Sequence, residues 1–274
     1  MPLTPQGFPV TLTFDLDAET IWTGARPETA DMPVTISSGR YGPKVGLGRI
    51  LGLLARHGIE ATFFVPGLTV ERHPAAIEAI LEGGHELAHH AHTHARLYEM
   101  SAAQEREEME RGTAAIVAAM GRPAAGFRAP GGEFSGQTMD LLYEQGFSYS
   151  SNFGDDDSPY LHERDGAPSD LVELPWYWSQ DDAPYFMFGR LLFNRAMHAP
   201  AAVLETWKTD FDVLYAEDRT FMLVMHPQII GRPARMRMLE DLVQYIAAKP
   251  GIWFTRCDTL ADALRPVLKD GATG

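Results

Sequence analysis

Short apolar runs alternate along this chain with longer stretches of helical spacing. The first run, residues 8–14 (FPVTLTF), is rich in β-branched and aromatic positions, reads as a strand and ends in Asp15-Leu16-Asp17. Residues 45–57 have the spacing of an amphipathic helix that stops at Gly58, and residues 61–65 (ATFFV) read as a short buried strand. A helix is predicted over 74–81, with proline in its first turn and Gly83-Gly84 at its end. Ser101 and Gln104 fit a capping box that opens a charged amphipathic helix to Met120, and Ser135 is placed to cap a helix to Gln145. Strands are predicted over 147–153, 171–178, 221–225 and 251–256, with helices over 200–217, 236–248 and 259–268 between and after them. One segment breaks the rhythm. Residues 20–43 are rich in Pro, Gly, Ser and Thr without clear periodicity and predict a long active-site loop over the end of the first strand. Trp22 and Tyr41 are its candidates for walling a pocket.

These six short apolar strands, in an expected total of seven or eight, alternate with helices and predict an α/β fold with a mostly parallel sheet covered on its outer face by helices. No linker, low-complexity segment or repeat divides the chain, so residues 1–274 are expected to form a single domain. Asp15, Asp17, Arg128, Trp178 and His226 all fall at or just after the C-terminal end of a predicted strand. In a parallel barrel those ends gather on one face, where active sites sit.

Composition narrows the partners. A net charge of −14 argues against a nucleic-acid surface, and no run approaches the ~18 apolar residues of a membrane span. Cys257 is the sole cysteine, so an intrachain disulfide is impossible, and its expected role is a small buried hydrophobe. The N-terminal stretch lacks the features of an export signal, and the expected location is cytoplasmic.

The chemistry concentrates in GGHELAHHAHTHARL (83–97), which holds five of the ten histidines. His90 and His94 stand four apart, which on a helical turn puts two imidazoles on one side, a common way to offer a metal two nitrogens. His85 and His89 share that spacing. Asp15 and Asp17 share one face of the first strand, about 7 Å apart, and repel each other unless a cation or an arginine lies between them. Asp17, His90 and His94 therefore supply the three protein ligands of a catalytic metal site, leaving a position for water of lowered pKa. Asp15 is placed as general base, with Arg128 holding it ionised, and His226 as general acid. The amides around Gly131 and Gly132 are candidates for stabilising an oxyanion. Plainer readings exist for each: a surface ion pair for Arg128, a strand cap for His226, a solvated turn for Asp181-Asp182, strand packing for Trp176 and Trp178. Their convergence on one face favours the catalytic reading.

The ordered set FDLDAE (14–19), GHELAHHAHTH (84–94), RAPGG (128–132), WSQDD (178–182) and LVMHPQ (223–228) resembles the polysaccharide deacetylase family, carbohydrate esterase family 4, whose catalytic unit is the NodB homology domain. The resemblance covers nearly the whole chain. It implies a distorted (β/α) barrel of seven or eight strands, an Asp-His-His site for one divalent metal, and metal-assisted hydrolysis of an N-acetyl group. By it the base falls on Asp15, the metal ligands on Asp17, His90 and His94, the base-holding arginine on Arg128 and the acid on His226. The acidic residue that tunes the catalytic histidine falls on Asp181 or Asp182, with Asp182 preferred. Leu16 between the two aspartates, His92 in the second motif, Gly131 in the third and HPQIIGRPARM after the fifth depart from the sugar enzymes. With GRYGPKVGLGRIL (39–51) and FFVPG (63–67), they look like an intracellular branch that includes peptidoglycan deacetylase-like, cyclic imide hydrolase and allantoinase-like enzymes.

The expected activity is thus metal-dependent hydrolysis of a non-peptide carbon–nitrogen bond, in an N-acetylated sugar or, alternatively, a small cyclic imide or ureide of the cytosol. Zinc is the default metal for such a site, with cobalt, nickel, iron and manganese as the others. His92, Trp22 and Trp178 are expected at the substrate, and the resemblance suggests a homo-oligomer. Two further readings are a homologue that keeps metal or ligand binding without turnover and a metal store or sensor built on the histidines. Retention of Asp15, Arg128 and His226 speaks against the first, and the second predicts more than one metal per chain.

Overall fold

The computed structural model describes residues 4, 6–189 and 196–272. Among the described residues nine strands are present: β1 (Phe8–Asp15), β2 (Thr62–Val65), β3 (Glu86–His89), β4 (Gly126–Phe127), β5 (Tyr149–Ser150), β6 (Tyr160–Arg164), β7 (Ala167–Glu173), β8 (Phe221–Met225) and β9 (Ile252–Phe254). They form one sheet in the order β6-β7-β5-β4-β3-β2-β1-β8, with β9 also paired to β1. Every pairing is parallel except the hairpin β6–β7. Val10 is partnered by both Phe221 of β8 and Phe254 of β9, so those strands flank β1 on opposite sides. After β7 the chain reaches β8 through a single bridge between Asp181 and Val224. The sheet therefore curls toward a barrel that strand pairing does not close among the described residues. This is the expected α/β architecture with a mostly parallel sheet.

Alternation along the strands sorts the side chains into two layers. Val10, Leu12 and Phe14 of β1 join Phe63, Phe221, Leu223 and Met225 in the larger core under the outer helices. Phe64, Met222 and Val224 join Tyr149, Val172 and Trp176 in a smaller inner core, sealed by Cys257, Leu260 and Leu264. Thr13 and Asp15 alternate with the outer set and so face the inner side. That parity carries the first carboxylate into the interior. Cys257 is fully buried, and burial pushes its thiol pKa up, in line with its packing role.

Three elements depart from the expected pattern. Residues 20–43 are not a loop: they hold helices at Thr20–Thr23 and Pro33–Tyr41 and a 3-10 turn at Pro27–Asp31, and a π-helical turn follows at Gly42–Gly46. Pro27 and Pro33 occupy first-turn positions, where their missing N–H costs nothing. The glycines serve close packing: a Cβ on Gly39 would lie 2.5 Å from the Ala18 carbonyl oxygen, and one on Gly46 2.1 Å from that of Pro227. Residues 86–89 are a strand, β3, not part of a helix. Of the predicted strand 171–178 only 171–173 is strand, the end of β7, which is the second arm of a hairpin turning at Asp165-Gly166, with φ of 54° and 76°. Asp-Gly between two β-prone runs is the sequence signature of such a turn. Among the described residues no helix is long and apolar enough to cross a membrane.

Candidate active site

A cavity of about 540 Å³ opens at the C-terminal ends of the parallel strands. Asp15, Asp17, His90, His94, Arg128 and His226 all line it, brought from four separate segments of the chain.

His90 and His94 are not on a helix. β3 ends at His89, and the following segment turns through Ala91 and His94 in left-handed conformations, with φ of 55° and 62°. The rings nonetheless converge, 5.0 Å apart and edge to face. Nε2 of each lies 3.5 Å from Asp17 Oδ1, an oxygen that is buried and has no hydrogen-bond partner. His90 Nδ1–H donates to the Arg128 carbonyl at 2.7 Å, which leaves the Nε2 lone pair facing Asp17. Burial lowers the His90 pKa to about 4 and holds that of His94 well below its ordinary value, so both rings are neutral at pH 7. Burial also pushes the Asp17 carboxyl well above the usual range. Two imidazole nitrogens and a buried carboxyl oxygen thus face one another with no hydrogen bond to that oxygen. A cation satisfies all three, so the donor set fits a divalent metal. The competing pair is turned away: His85 Nδ1 accepts from the Ala61 amide, and the His89 ring is held between the Ala91 amide and the Met109 carbonyl.

Asp15 sits beside this group on β1. Arg128, only 1% exposed, donates from one nitrogen to Asp15 Oδ1 at 2.7 Å and to Thr13 Oγ1 at 2.9 Å, and from another to Ser151 Oγ. Its guanidinium lies over the Phe64 ring, 4.0 Å from the centroid. Burial opposes ionisation of Asp15, but Arg128, with His90 and His226, outweighs it and draws the carboxyl below its ordinary pKa.

Asp181 and Asp182 are not a solvated turn. They are 3% and 0% exposed and extend beside β8. Asp182 makes the close contact: its Oδ1 accepts from His226 Nδ1–H at 2.7 Å, and its Oδ2 from the His226 amide at 3.1 Å. Asp181 Oδ1 is 3.7 Å from the same nitrogen and is committed to the Ala183 amide. Burial disfavours charge on His226, but Asp182, then Asp181 and Asp17, outweigh it and raise the imidazole pKa well above its ordinary value. The site thus pairs a carboxylate held ionised with an imidazole held protonated.

The remaining candidates divide. Gly131 and Gly132 line the cavity with φ of 69° and 73°, but the Gly132 amide already donates to the Ala129 carbonyl, so the two amides do not act as a free pair. Trp178 lines the mouth, half exposed, edge-on to Trp176 and against Gly132. Trp22 and His92 are not among the lining residues. Trp22 is buried and donates its indole N–H to Ser38 Oγ, because the helical form of 20–43 turns it inward. His92 is buried under Gly67, because the turn after β3 directs it opposite to His90 and His94. Tyr41 packs outside the cavity against Arg49 and Arg232. Gln228 joins the site unforeseen, donating to Asp17 Oδ2 at 3.3 Å. Its signal is in the sequence: Pro227 starts a helical turn directly after His226, which aims the next residue back at the strand ends.

The chain is similar to known proteins in both sequence and fold. Residues 40–150 match the polysaccharide deacetylase family model. A curated peptidoglycan deacetylase of Helicobacter pylori is 29% identical over 273 residues, covering 90% of this chain and 93% of its own. A solved Mycobacterium smegmatis structure, of a "putative polysaccharide deacetylase", is 35% identical, covers 96% of this chain and 92% of its own, and superposes with a TM-score of 0.91. An allantoinase structure at 24% identity, covering 96% of this chain and 92% of its own, shares the fold with a TM-score of 0.82. A relative above 30% identity, matched almost end to end in sequence and in fold, leads to one conclusion: this chain belongs to the polysaccharide deacetylase family and is a hydrolase of carbon–nitrogen amide bonds.

Proposed function

We propose that the chain is a metal-dependent deacetylase that hydrolyses the N-acetyl group of an amino sugar. The observation that carries this reading is the opposed pair across the Asp17–His90–His94 cluster: Asp15 drawn below its ordinary pKa and His226 raised well above its own. Groups driven apart in this way take the base and acid roles of a hydrolysis at neutral pH. Asp17, His90 and His94 would hold a divalent cation, zinc by default, which supplies Lewis acidity to the water and to the amide carbonyl. Asp15 takes the proton from water as its oxygen adds to the carbonyl carbon, and Arg128 keeps Asp15 ionised and in place. His226 then delivers its proton to the nitrogen as the C–N bond breaks, leaving acetate and a free amine. Asp182 holds the His226 ring with Nε2 toward the cavity. Trp178, half exposed at the mouth, offers an aromatic ring that suits the apolar face of a pyranose.

The direct test is acetate release from an N-acetylglucosamine oligomer, run beside succinimide, dihydrouracil and allantoin, before and after chelation. Acetate release that chelation abolishes and added metal restores is the expected result. Ring opening of a cyclic amide without acetate release would move the substrate to that class, and activity indifferent to chelator would overturn the metal assignment.

The pH profile tests the acid. A raised His226 pKa keeps the proton available through the neutral range and loses it only as pH rises past that value. Asp182→Asn removes the largest charge that raises it, so the alkaline limb of kcat should move to lower pH. An unmoved limb would remove His226 from the acid role.

A further inference from the structure

We infer that Glu108 is a positioning residue that sets the geometry of the metal-ligand segment 90–94; the inference rests on the metal assignment proposed above. The two histidines of that cluster are only four residues apart, yet neither helix nor strand joins them. Ala91 and His94 are left-handed without being glycine, a strained conformation that persists only where the surroundings over-determine it. The turn is clamped from two sides. On one, the Gly67 and Leu68 amides donate to the Ala91 and His92 carbonyls at 3.0 and 2.9 Å. On the other stands Glu108, from the helix Ala102–Met120.

Glu108 is 9% exposed and spends its carboxylate on this turn. Oε2 accepts from the His92 amide at 3.2 Å and the Thr93 amide at 2.8 Å, and Oε1 accepts from Thr93 Oγ1 at 2.9 Å. Charge-assisted bonds to consecutive amides are about twice as strong as neutral ones, and these grip the backbone between the two ligands. The helix is seated directly on the turn, since a Cβ on Gly112 would lie 2.6 Å from the Ala91 carbonyl oxygen. Glu108 lies far along the chain from Asp17 and touches no cavity atom, so it acts only through the histidines it places. Glutamine only weakens the clamp, since its oxygen can accept from both amides and its Nε2–H can donate to Thr93 Oγ1 while the charge assistance is lost; alanine removes the clamp altogether.

Glu105, one turn earlier on the same helix, provides the control. It is fully buried and accepts from Ser135 and Thr138, outside the ligand segment. The experiment measures zinc affinity of metal-stripped protein by competition with a chromogenic chelator, together with the visible absorption of the cobalt-loaded form. In E108A the zinc Kd should rise about 10–100-fold, the range for loss of a partner that orients metal ligands, and the cobalt spectrum should change. E105A should lower Tm yet keep the wild-type Kd and spectrum. T93V should weaken zinc binding less than E108A, with T93S restoring it. Wild-type Kd and spectrum in E108A would overturn the inference while leaving the metal site standing. If E108A does not fold, T93V and T93S decide, and equal Kd values for the two overturn it. Stripped wild-type protein that takes up no zinc or cobalt would overturn the metal assignment and this inference with it.

Discussion

Asp15→Asn is expected to lower kcat by about 10²–10⁴-fold, the usual contribution of a positioned general base, while metal content stays near one ion per chain. Asparagine keeps the shape and loses the charge, so the water is no longer deprotonated, but Asp17, His90 and His94 are untouched. The variant should also be less stable, because Arg128 is left buried beside a neutral group, and removing one partner of a buried ion pair costs about 3–5 kcal/mol. Activity and metal content measured on one preparation, with a melting curve, separate these effects. Loss of metal with turnover intact at added metal would exchange the roles of the two aspartates.

Asp17→Ala, His90→Ala or His94→Ala should lose metal and turnover together, by more than the roughly 100-fold that an outer-shell change costs. Asp17 carries a second consequence. Its folded pKa is raised, so its contribution to stability is present only below the ordinary carboxylate range and is lost as pH rises. In metal-stripped protein at neutral pH, Asp17 is therefore destabilising, and Asp17→Asn should melt at a higher temperature than stripped wild type. Adding zinc should reverse that order, since only the wild type gains from the ion. An Asp17→Asn variant that still gains stability from zinc would remove Asp17 from the ligand set. The carboxylate is then a case of stability given up for binding at a functional site.

Glu108 and Gln228 show how a legible pattern can pass unread. Glu105, Glu108, Met109, Gly112 and Ile116 share the buried face of one helix, so two carboxylates stand at core-facing positions. A buried carboxylate needs donors, and for Glu108 the donors are in the histidine-rich turn. The hairpin at Asp165-Gly166 was equally available from its dipeptide. By contrast, the helical form of residues 20–43 was hidden, because its glycines read as flexible when they are in fact points of contact. Trp22 and His92 were misplaced for the same reason: their direction depends on a local backbone that composition does not describe.

The amino-acid sequence by itself determined the strand at 8–14 with both aspartates at its end, the capped helix from Ser101 to Met120, the α/β alternation and the residue types of the site. These follow from periodicity, capping and side-chain chemistry, which act over a few residues and leave their mark in order. The ordered motifs already favoured His90 and His94, Asp182 over Asp181 and Arg128 on Asp15. Only the tertiary structure shows the contacts themselves: both Nε2 atoms facing Asp17, His226 on Asp182 and Arg128 buried on Asp15. Each of these depends on partners up to more than a hundred residues away, such as Arg128 with Asp15 or the Glu108 helix under the ligand turn. A left-handed turn or a buried charge is stable only where such distant groups complete its hydrogen bonds, and no local window of sequence contains them.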